Sequence, residues 1–278
     1  MKNPHQVAVI IGLGGMGEAI ARRQGTGRHL LLADVDERAL ERTAALLRGS
    51  GHDVTVQPVD VTSAESVRAL ADTAAAAGPV TQVIHTAGLS PTQASAAAII
   101  RVDLLGTAHV IDAFEAVIAP GGAGVVIASM AGTLAAGSLP AELELALAQT
   151  PTDQLLDLPV WASPAFSDAG AAYSAAKRGN QLRVQAASAR WGRRGARINS
   201  ISPGVISTPM GQEELASENG QRMRALVAAS GTGRVGTAED IAHAAAFLLG
   251  PDASFITGTD LLVDGGVVAG VRSAGGAR

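Results

Sequence analysis

No cysteine occurs in the 278 residues, which excludes disulfides, thiolate metal sites and a cysteine nucleophile. Aromatic residues are scarce at 3 %, with one tyrosine, two tryptophans and four phenylalanines. Since apolar residues still make up 47 % of the chain, the core has to be built from Ala, Val, Leu and Ile. Such a core suits helices packed closely on a sheet. Basic charge is not in excess, the formal net charge being −4. No basic stripe interleaved with aromatics appears either, so no nucleic-acid partner is expected. Long hydrophobic runs are missing as well, which excludes a membrane-spanning helix. The opening MKNPHQVAVIIG reaches an apolar run too short for a signal-peptide core. A soluble, cytoplasmic protein is the expectation.

Short apolar runs alternate with longer Ala-rich stretches. The runs are VAVII (7–11), LLLA (30–33), DVTVQPVDV (53–61), TQVIHTAG (81–88), AGVVIAS (123–129), ARINSISPG (196–204) and DLLVDGG (260–266). Continuous apolar strands belong to parallel sheets covered on both faces, and their alternation with helices predicts an α/β fold. The expected architecture is a Rossmann-like, doubly wound parallel sheet of about seven strands in a single domain, 1–270. Helices are predicted from a capping box Thr62-Ser-Ala-Glu65, over about 94–118, around the tyrosine, and over about 238–249 behind Thr237. Two stretches break the rhythm: 133–170, rich in proline and carrying LPAELELALAQ, Trp161 and Phe166, and 209–234, read as a helical flap. Residues 271–278 read as a flexible tail.

After the first strand the chain reads Gly12-Leu-Gly14-Gly15-Met16-Gly17. This is GxGxxG closing a strand and opening a helix, where glycines permit a tight turn and the helix N-terminus favours a pyrophosphate. Alone it is a common turn. The second strand, however, ends at Asp34, near the offset of the carboxylate that bonds an adenosine ribose. A carboxylate there repels a 2′-phosphate, and Val35 and Asp36 follow it instead of a cation. NAD is therefore expected in preference to NADP. Asp36 reads as the start of the next helix.

With these residues placed, the chain resembles the short-chain dehydrogenase/reductase family over nearly its whole length. The landmarks run in family order: the glycine loop, Asp34, Asp60-Val61, His85-Thr86-Ala87-Gly88, Ser129, Tyr173-x-x-x-Lys177, Arg197-Ile-Asn199, Pro203-Gly204, Thr208-Pro209 and Asp264-Gly265-Gly266. The resemblance implies that Asp60, Val61, Ala87 and Gly88 meet the cofactor, and that Ile206 and Thr208, after the Pro203-Gly204 turn, contact the nicotinamide carboxamide. Departures are visible too. Ile11 precedes a GxGxxG spacing where the family carries Thr-Gly-x-x-x-Gly-x-Gly. His85-Thr86 replaces an Asn pair, and His85 reads as a hydrogen-bonded packing residue. Asp103 stands where the family's Asn anchors a relay water, which makes it a candidate relay residue.

Tyr173, the single tyrosine, and Lys177 share a helix face at i and i+4. An isolated pair of this kind is ordinarily a structural tyrosine beside a solvated lysine; within this succession of motifs it reads as a catalytic pair. A phenol is too weak an acid to serve as a base near neutrality. A nearby ammonium and the positive nicotinamide ring should favour phenolate. The resemblance assigns Lys177 to the nicotinamide ribose and Ser129 to the substrate oxygen, although 44 residues separate Ser129 from Tyr173 where the family has about 13; Ser138 is the weaker candidate. The expected function is an NAD-dependent oxidoreductase interconverting a secondary alcohol and a ketone, without a metal. The alternative is a non-catalytic NAD(H)-binding sensor or scaffold. Leucines of 133–170 with Trp161, Met210 and Leu215 suggest a hydrophobic substrate enclosed by insertion and flap, or simply a helix packed on the domain. Family resemblance implies a homo-oligomer, dimer or tetramer, built through the helices flanking the fifth strand.

Overall fold

The computed structural model describes residues 6–275. Seven parallel strands form one sheet in the order β3-β2-β1-β4-β5-β6-β7. They are β1 (Val7–Ile11), β2 (His29–Asp34), β3 (Asp53–Pro58), β4 (Val80–His85), β5 (Ile118–Ile127), β6 (Arg197–Pro203) and β7 (Asp260–Val263). The chain runs outward from β1 to β3 and then returns to β4 on β1's other side, so β1 and β4 part at the centre. Crevices form beyond the carboxyl ends of strands at such a reversal. The expected sheet, strand count and single domain are all present.

Helices α1 (Gly15–Gln24), α2 (Glu37–Gly49) and α3 (Ala64–Ala77) connect the first four strands. Alternate strand residues divide between two cores. Val9, Ile11, Leu31, Val83, Val126 and Ile198 face one side, while Ala8, Ile10, Leu30, Leu32, Ile84 and Ile201 face the other with α1 and α2. Trp191 is the largest fully buried side chain. It fits because Gly124 of β5 has no side chain: a Cβ there would stand 2.8 Å from the indole ring.

The helix expected over 94–118 is three pieces, α4 (Ala96–Ile99), a π-helical segment (Ile100–Gly106) and α5 (Thr107–Val117). Short π segments rarely persist without a local reason; here the segment carries Asp103, which is completely buried. The predicted box at Thr62 is displaced by one residue. Ser63 caps α3 by accepting from the Ser66 N–H, and Thr62 instead gives its N–H and hydroxyl to Asp60 at 2.9 and 2.8 Å. Asp36 does cap α2.

The 133–170 stretch is ordered by its own packing. After α6 (Met130–Ala135) come α7 (Ala141–Gln149) and three short 3-10 turns between Thr152 and Phe166, leading into the long helix α8 (Ala169–Arg193). Leu143, Leu147 and Leu155 insert among Ile100, Leu104 and Ala108 on one side and Ala172 and Ala176 on the other. The Arg183 guanidinium closes the end of α7, donating to the carbonyls of Leu147 and Thr150 at 3.2 and 3.0 Å and to the Thr152 hydroxyl at 2.9 Å. A cation at a helix C-terminus is favourable in itself. Trp161 donates its Nε1–H to the Leu155 carbonyl at 2.7 Å and meets Phe166 edge to face.

The flap region consists of α9 (Pro209–Ala216) and α10 (Gly220–Ala228), followed by α11 (Ala238–Leu249), which is capped by a reciprocal box between Thr237 and Asp240. Helix α12 (Val267–Gly275) extends into the stretch read as a tail from 271; 276–278 lie outside the described residues. Because Leu147 is fully buried and Leu145, two positions away, is 57 % exposed, Leu147→Ala should cost about 2–5 kcal/mol and Leu145→Ala almost nothing. Urea denaturation midpoints of the two variants would test whether the insertion packs as part of the domain.

Candidate active site

A cleft of about 620 Å³ opens at the carboxyl edge of the sheet where β1 and β4 part. One end is the glycine turn. Gly12 takes φ +95°, a conformation for which glycine is suited. Its N–H bonds Ala33 O at 2.8 Å, while Thr86 N–H and Ala87 N–H both reach Ile11 O, at 2.7 and 3.1 Å. A Cβ on Gly12 would run into the backbone of Ala87, and one on Gly17 into the carbonyl of Gly12. A Cβ on Gly14 would meet nothing within 4 Å, since that residue faces open cleft at the N-cap of α1. The turn therefore presents unobstructed N–H groups at a helix N-terminus, as a pyrophosphate requires.

Asp34 lines the cleft. Its carboxylate accepts the N–H of Leu13 at 2.6 Å and of Asp36 at 3.0 Å, which holds it beside the glycine turn with lone pairs left for further donors. Asp60, Val61, Ala87, Gly88, Met16 and Thr208 also line the cleft, and Lys177 is its only cation among the described residues. These residues fit a dinucleotide: a glycine cradle at one point, a carboxylate a strand away, and no side chain blocking the space between. Three carried-over residues sit behind the lining. Ile206 is buried in the core on the α1 side, Gly204 abuts the backbone of Asp264, and Pro203 pairs with Val263.

Tyr173 and Lys177 line the cleft's other end, with the Lys177 Nζ 5.4 Å from the centre of the phenol ring. Ser129 caps α6, accepting the Ala131 N–H at 3.1 Å; it follows the cleft-lining Ala128 without lining the cleft itself, and its effect on Tyr173 favours the phenolate. The fold thus brings Ser129 back to Tyr173 across the 44-residue separation. Ser138 instead gives its hydroxyl to Ala135 O at 2.7 Å. Asp103 does not line the cleft. It lies beneath Lys177 with Oδ2 3.0 Å from Nζ, and its Oδ1 accepts the Leu89 N–H at 2.8 Å. Burial raises the Asp103 carboxyl even so. Burial would lower Lys177, but Asp103 and Tyr173 together outweigh it and hold the ammonium above its ordinary value.

The phenol of Tyr173 is raised, not lowered. Burial is the largest cause, and Asp103 and Glu214 add to it, against Lys177 and Ser129. The expectation of a lowered phenol counted the Lys177 ammonium together with the positive ring of an oxidised cofactor; in the protein alone burial outweighs the ammonium, and Asp103 adds to burial. Glu214 of α9 was not singled out in the sequence. Burial raises it, while the Ser90 hydroxyl and Lys177 oppose, which puts its carboxyl within electrostatic reach of Lys177. Nothing in its local pattern marks it apart from Glu213.

His85 is a packing residue. Its Nε2 lies 3.1 Å from the Thr107 hydroxyl, and burial, then Lys177, push its pKa down to about 3. Trp161 and Phe166 pack within the insertion. Among the described residues none from 130–170 lines the cleft, so of the apolar residues expected to enclose a substrate only Met210 does so. Asn199 holds backbone at Ile256 and Thr259, and Asp264 accepts the N–H groups of Gly266 and Val268.

The model of the family described as enoyl-(acyl carrier protein) reductase matches residues 12–141 and 158–268, leaving out the middle of the insertion. The chain belongs to the short-chain dehydrogenase/reductase family. Members use nicotinamide dinucleotides, either NAD or NADP. The chain is 43 % identical over 261 residues, covering 94 % of itself and 95 % of its relative, to the short-chain dehydrogenase/reductase bsc3 of Alternaria brassicicola. It is 31 % identical over 93 % of both chains to an L-tagatose-forming galactitol 2-dehydrogenase of Cereibacter sphaeroides. A crystal structure of a glucose/ribitol-type family member from Brucella melitensis superposes with a TM-score of 0.74 at 26 % identity, covering 96 % of this chain and 99 % of that one. This is accordingly an oxidoreductase fold whose named relatives are dehydrogenases and reductases.

The depressed His85 makes an acid-stability prediction. Between its ordinary value of 6.5 and about 3, the unfolded imidazole binds a proton that the folded one refuses. Stability contributed by neutral His85 is therefore lost as pH falls through that window, with a slope of up to about 1.4 kcal/mol per pH unit. In His85→Asn that component should vanish. Unfolding free energies from pH 7 to pH 4 would show a flatter dependence in the variant.

Proposed function

We propose that this chain is an NAD-dependent oxidoreductase that interconverts a secondary alcohol and a ketone, with Tyr173 as general acid/base. The observation that carries the proposal is one continuous cleft lined by the glycine turn and Asp34 at one end and by Tyr173 and Lys177 at the other, with Ser129 following the lining residue Ala128. When bound, the dinucleotide supplies a hydride acceptor or donor. Asp34 would take the adenosine ribose hydroxyls, and among the described residues no cation lines the cleft at that end to neutralise a 2′-phosphate, which favours NAD over NADP.

Ser129 would donate its hydroxyl hydrogen to the substrate oxygen and fix that oxygen against the phenol. In oxidation the Tyr173 phenolate takes the hydroxyl proton of the alcohol; in reduction the phenol returns it to the ketone oxygen. Lys177, on the same helix face, would hold the nicotinamide ribose. The substrate is a small-molecule alcohol or ketone admitted past Leu89 and Met210, which line the cleft. As for assembly, a homo-oligomer made through α5 and α8 would have to seat on the insertion, whose leucines pack between them.

NADH formation from NAD over a panel of secondary alcohols at alkaline pH tests this reading. Tyr173→Phe should lose at least about a hundredfold in kcat/KM, the usual share of a general acid/base, while still binding NADH. Tight NADH binding with no turnover in either direction on alcohols or ketones would instead indicate a sensor. Turnover with NADP alone would remove the role given to Asp34.

A further inference from the structure

The ion pair beneath the catalytic end is unusually closed. Asp103 is 0 % exposed and Lys177 5 %, and Asp103 Oδ2 meets Lys177 Nζ at 3.0 Å. Three separate elements meet there. The π-helical segment brings Asp103, α8 brings Lys177, and the segment after β4 ties Asp103 through the Leu89 N–H. The Gly88 backbone passes close to both groups: a Cβ on it would stand 3.1 Å from Asp103 Oδ2 and from Lys177 Nζ. The Lys177 ammonium and the Asp103 carboxylate are in direct contact, and a carboxylate cannot give a hydrogen bond onward as an amide can.

We infer that Asp103 is a positioning residue that offsets part of the field of Lys177 at Tyr173 and so keeps the Tyr173 proton transfer at higher pH than Lys177 alone would set. The inference rests on the proposed role of Tyr173, but it concerns a charge balance that exists with or without turnover. The groups facing the phenol are Lys177 from its own helix, Asp103 from the π-helical segment, Ser129 from the start of α6 and Glu214 from α9; His85, facing Lys177 from β4, is neutral. Burial of the phenol and the Asp103 carboxylate held against the ammonium together outweigh the help that Lys177 gives a phenolate. The phenol consequently keeps its proton through neutral pH, ready to protonate a ketone. Its use as a base for alcohol oxidation is confined to higher pH until the positive ring of the oxidised cofactor arrives.

Tyr173 is the only tyrosine, so tyrosinate absorbance near 295 nm reads this one group. The experiment is a spectrophotometric pH titration of the wild-type protein, Asp103→Asn and Tyr173→Phe, with circular dichroism marking the limit of the folded state. The expected wild-type titration lies above that of N-acetyltyrosinamide, and Asp103→Asn brings it to lower pH. The acid limb of kcat/KM for oxidation should move in the same direction, so that activity at pH 7 relative to the variant's own alkaline plateau rises by roughly threefold or more. A folded Asp103→Asn with an unmoved titration overturns the inference. So does a loss of rate with an unmoved pH limb, which is the signature of a relay residue. If Asp103→Asn fails to fold, the wild-type titration alone decides: onset below that of N-acetyltyrosinamide refutes the inference. Because the absorbance needs no turnover, an inactive protein with a shifted titration would refute the catalytic reading and leave this one standing.

Discussion

The carboxyl ends of β1 and β4 are joined by a contact between backbones. Ile11 O accepts N–H groups from both Thr86 and Ala87, and the Thr86 hydroxyl donates to Gly12 O at 2.7 Å. This approach is possible only because Gly12 and Gly17 carry no side chains. It sets how far apart the two central strands stand where the sheet reverses, and hence where the cleft lies. The same contact orients α1, whose N-terminus faces the cleft, and puts Ala87 and Gly88 in line with Lys177. Backbone geometry at one glycine turn therefore positions both the cofactor end and the catalytic end.

At the catalytic end the organising quantity is charge in a dry place. Burying Lys177 and Asp103 singly would be costly; buried together they satisfy one another, though such pairs specify arrangement more than they add stability. The arrangement specified here joins three chain segments that are distant in sequence. On the proposed reading, its cost is a phenol that receives less electrostatic help from Lys177 than an unpaired lysine would give. The neutral His85 below and the half-buried Glu214 above belong to the same balance, since each responds to the Lys177 ammonium.

Much of the fold was legible because its signals are local. Apolar runs such as VAVII and HLLLAD need no partners to be recognised as strands, and the glycine spacing after β1 gives the turn its chemistry directly. Asp34 was legible from its position at a strand end. What escaped the sequence depends on through-space neighbours. The Thr62 box failed because Asp60 competes for the Thr62 hydroxyl and leaves Ser63 to cap the helix. Asp103 was recognisable as a departure, but nothing in VDLLG shows that a π-helical turn would bury it against Lys177. The leucines of the insertion have the spacing of a packed helix, and such spacing does not reveal whether the face they cover is a pocket or another pair of helices. Glu214 differs from Glu213 only in which way α9 turns it.

The two irregular segments divide their work unequally. The insertion is sewn into α5 and α8 by buried leucines and by Arg183, and it contributes nothing to the cleft wall among the described residues. The segment beginning at Thr208 touches the cleft and packs lightly, its helices burying only a few residues such as Gly211, Gly220 and Val227. For anyone redesigning this protein, the first is foundation and the second is upholstery. On the proposed function, substrate range would be re-cut by exchanging 209–228 with the sheet, glycine turn and ion pair left in place, whereas trimming the insertion would strip the packing from the helix that carries Tyr173.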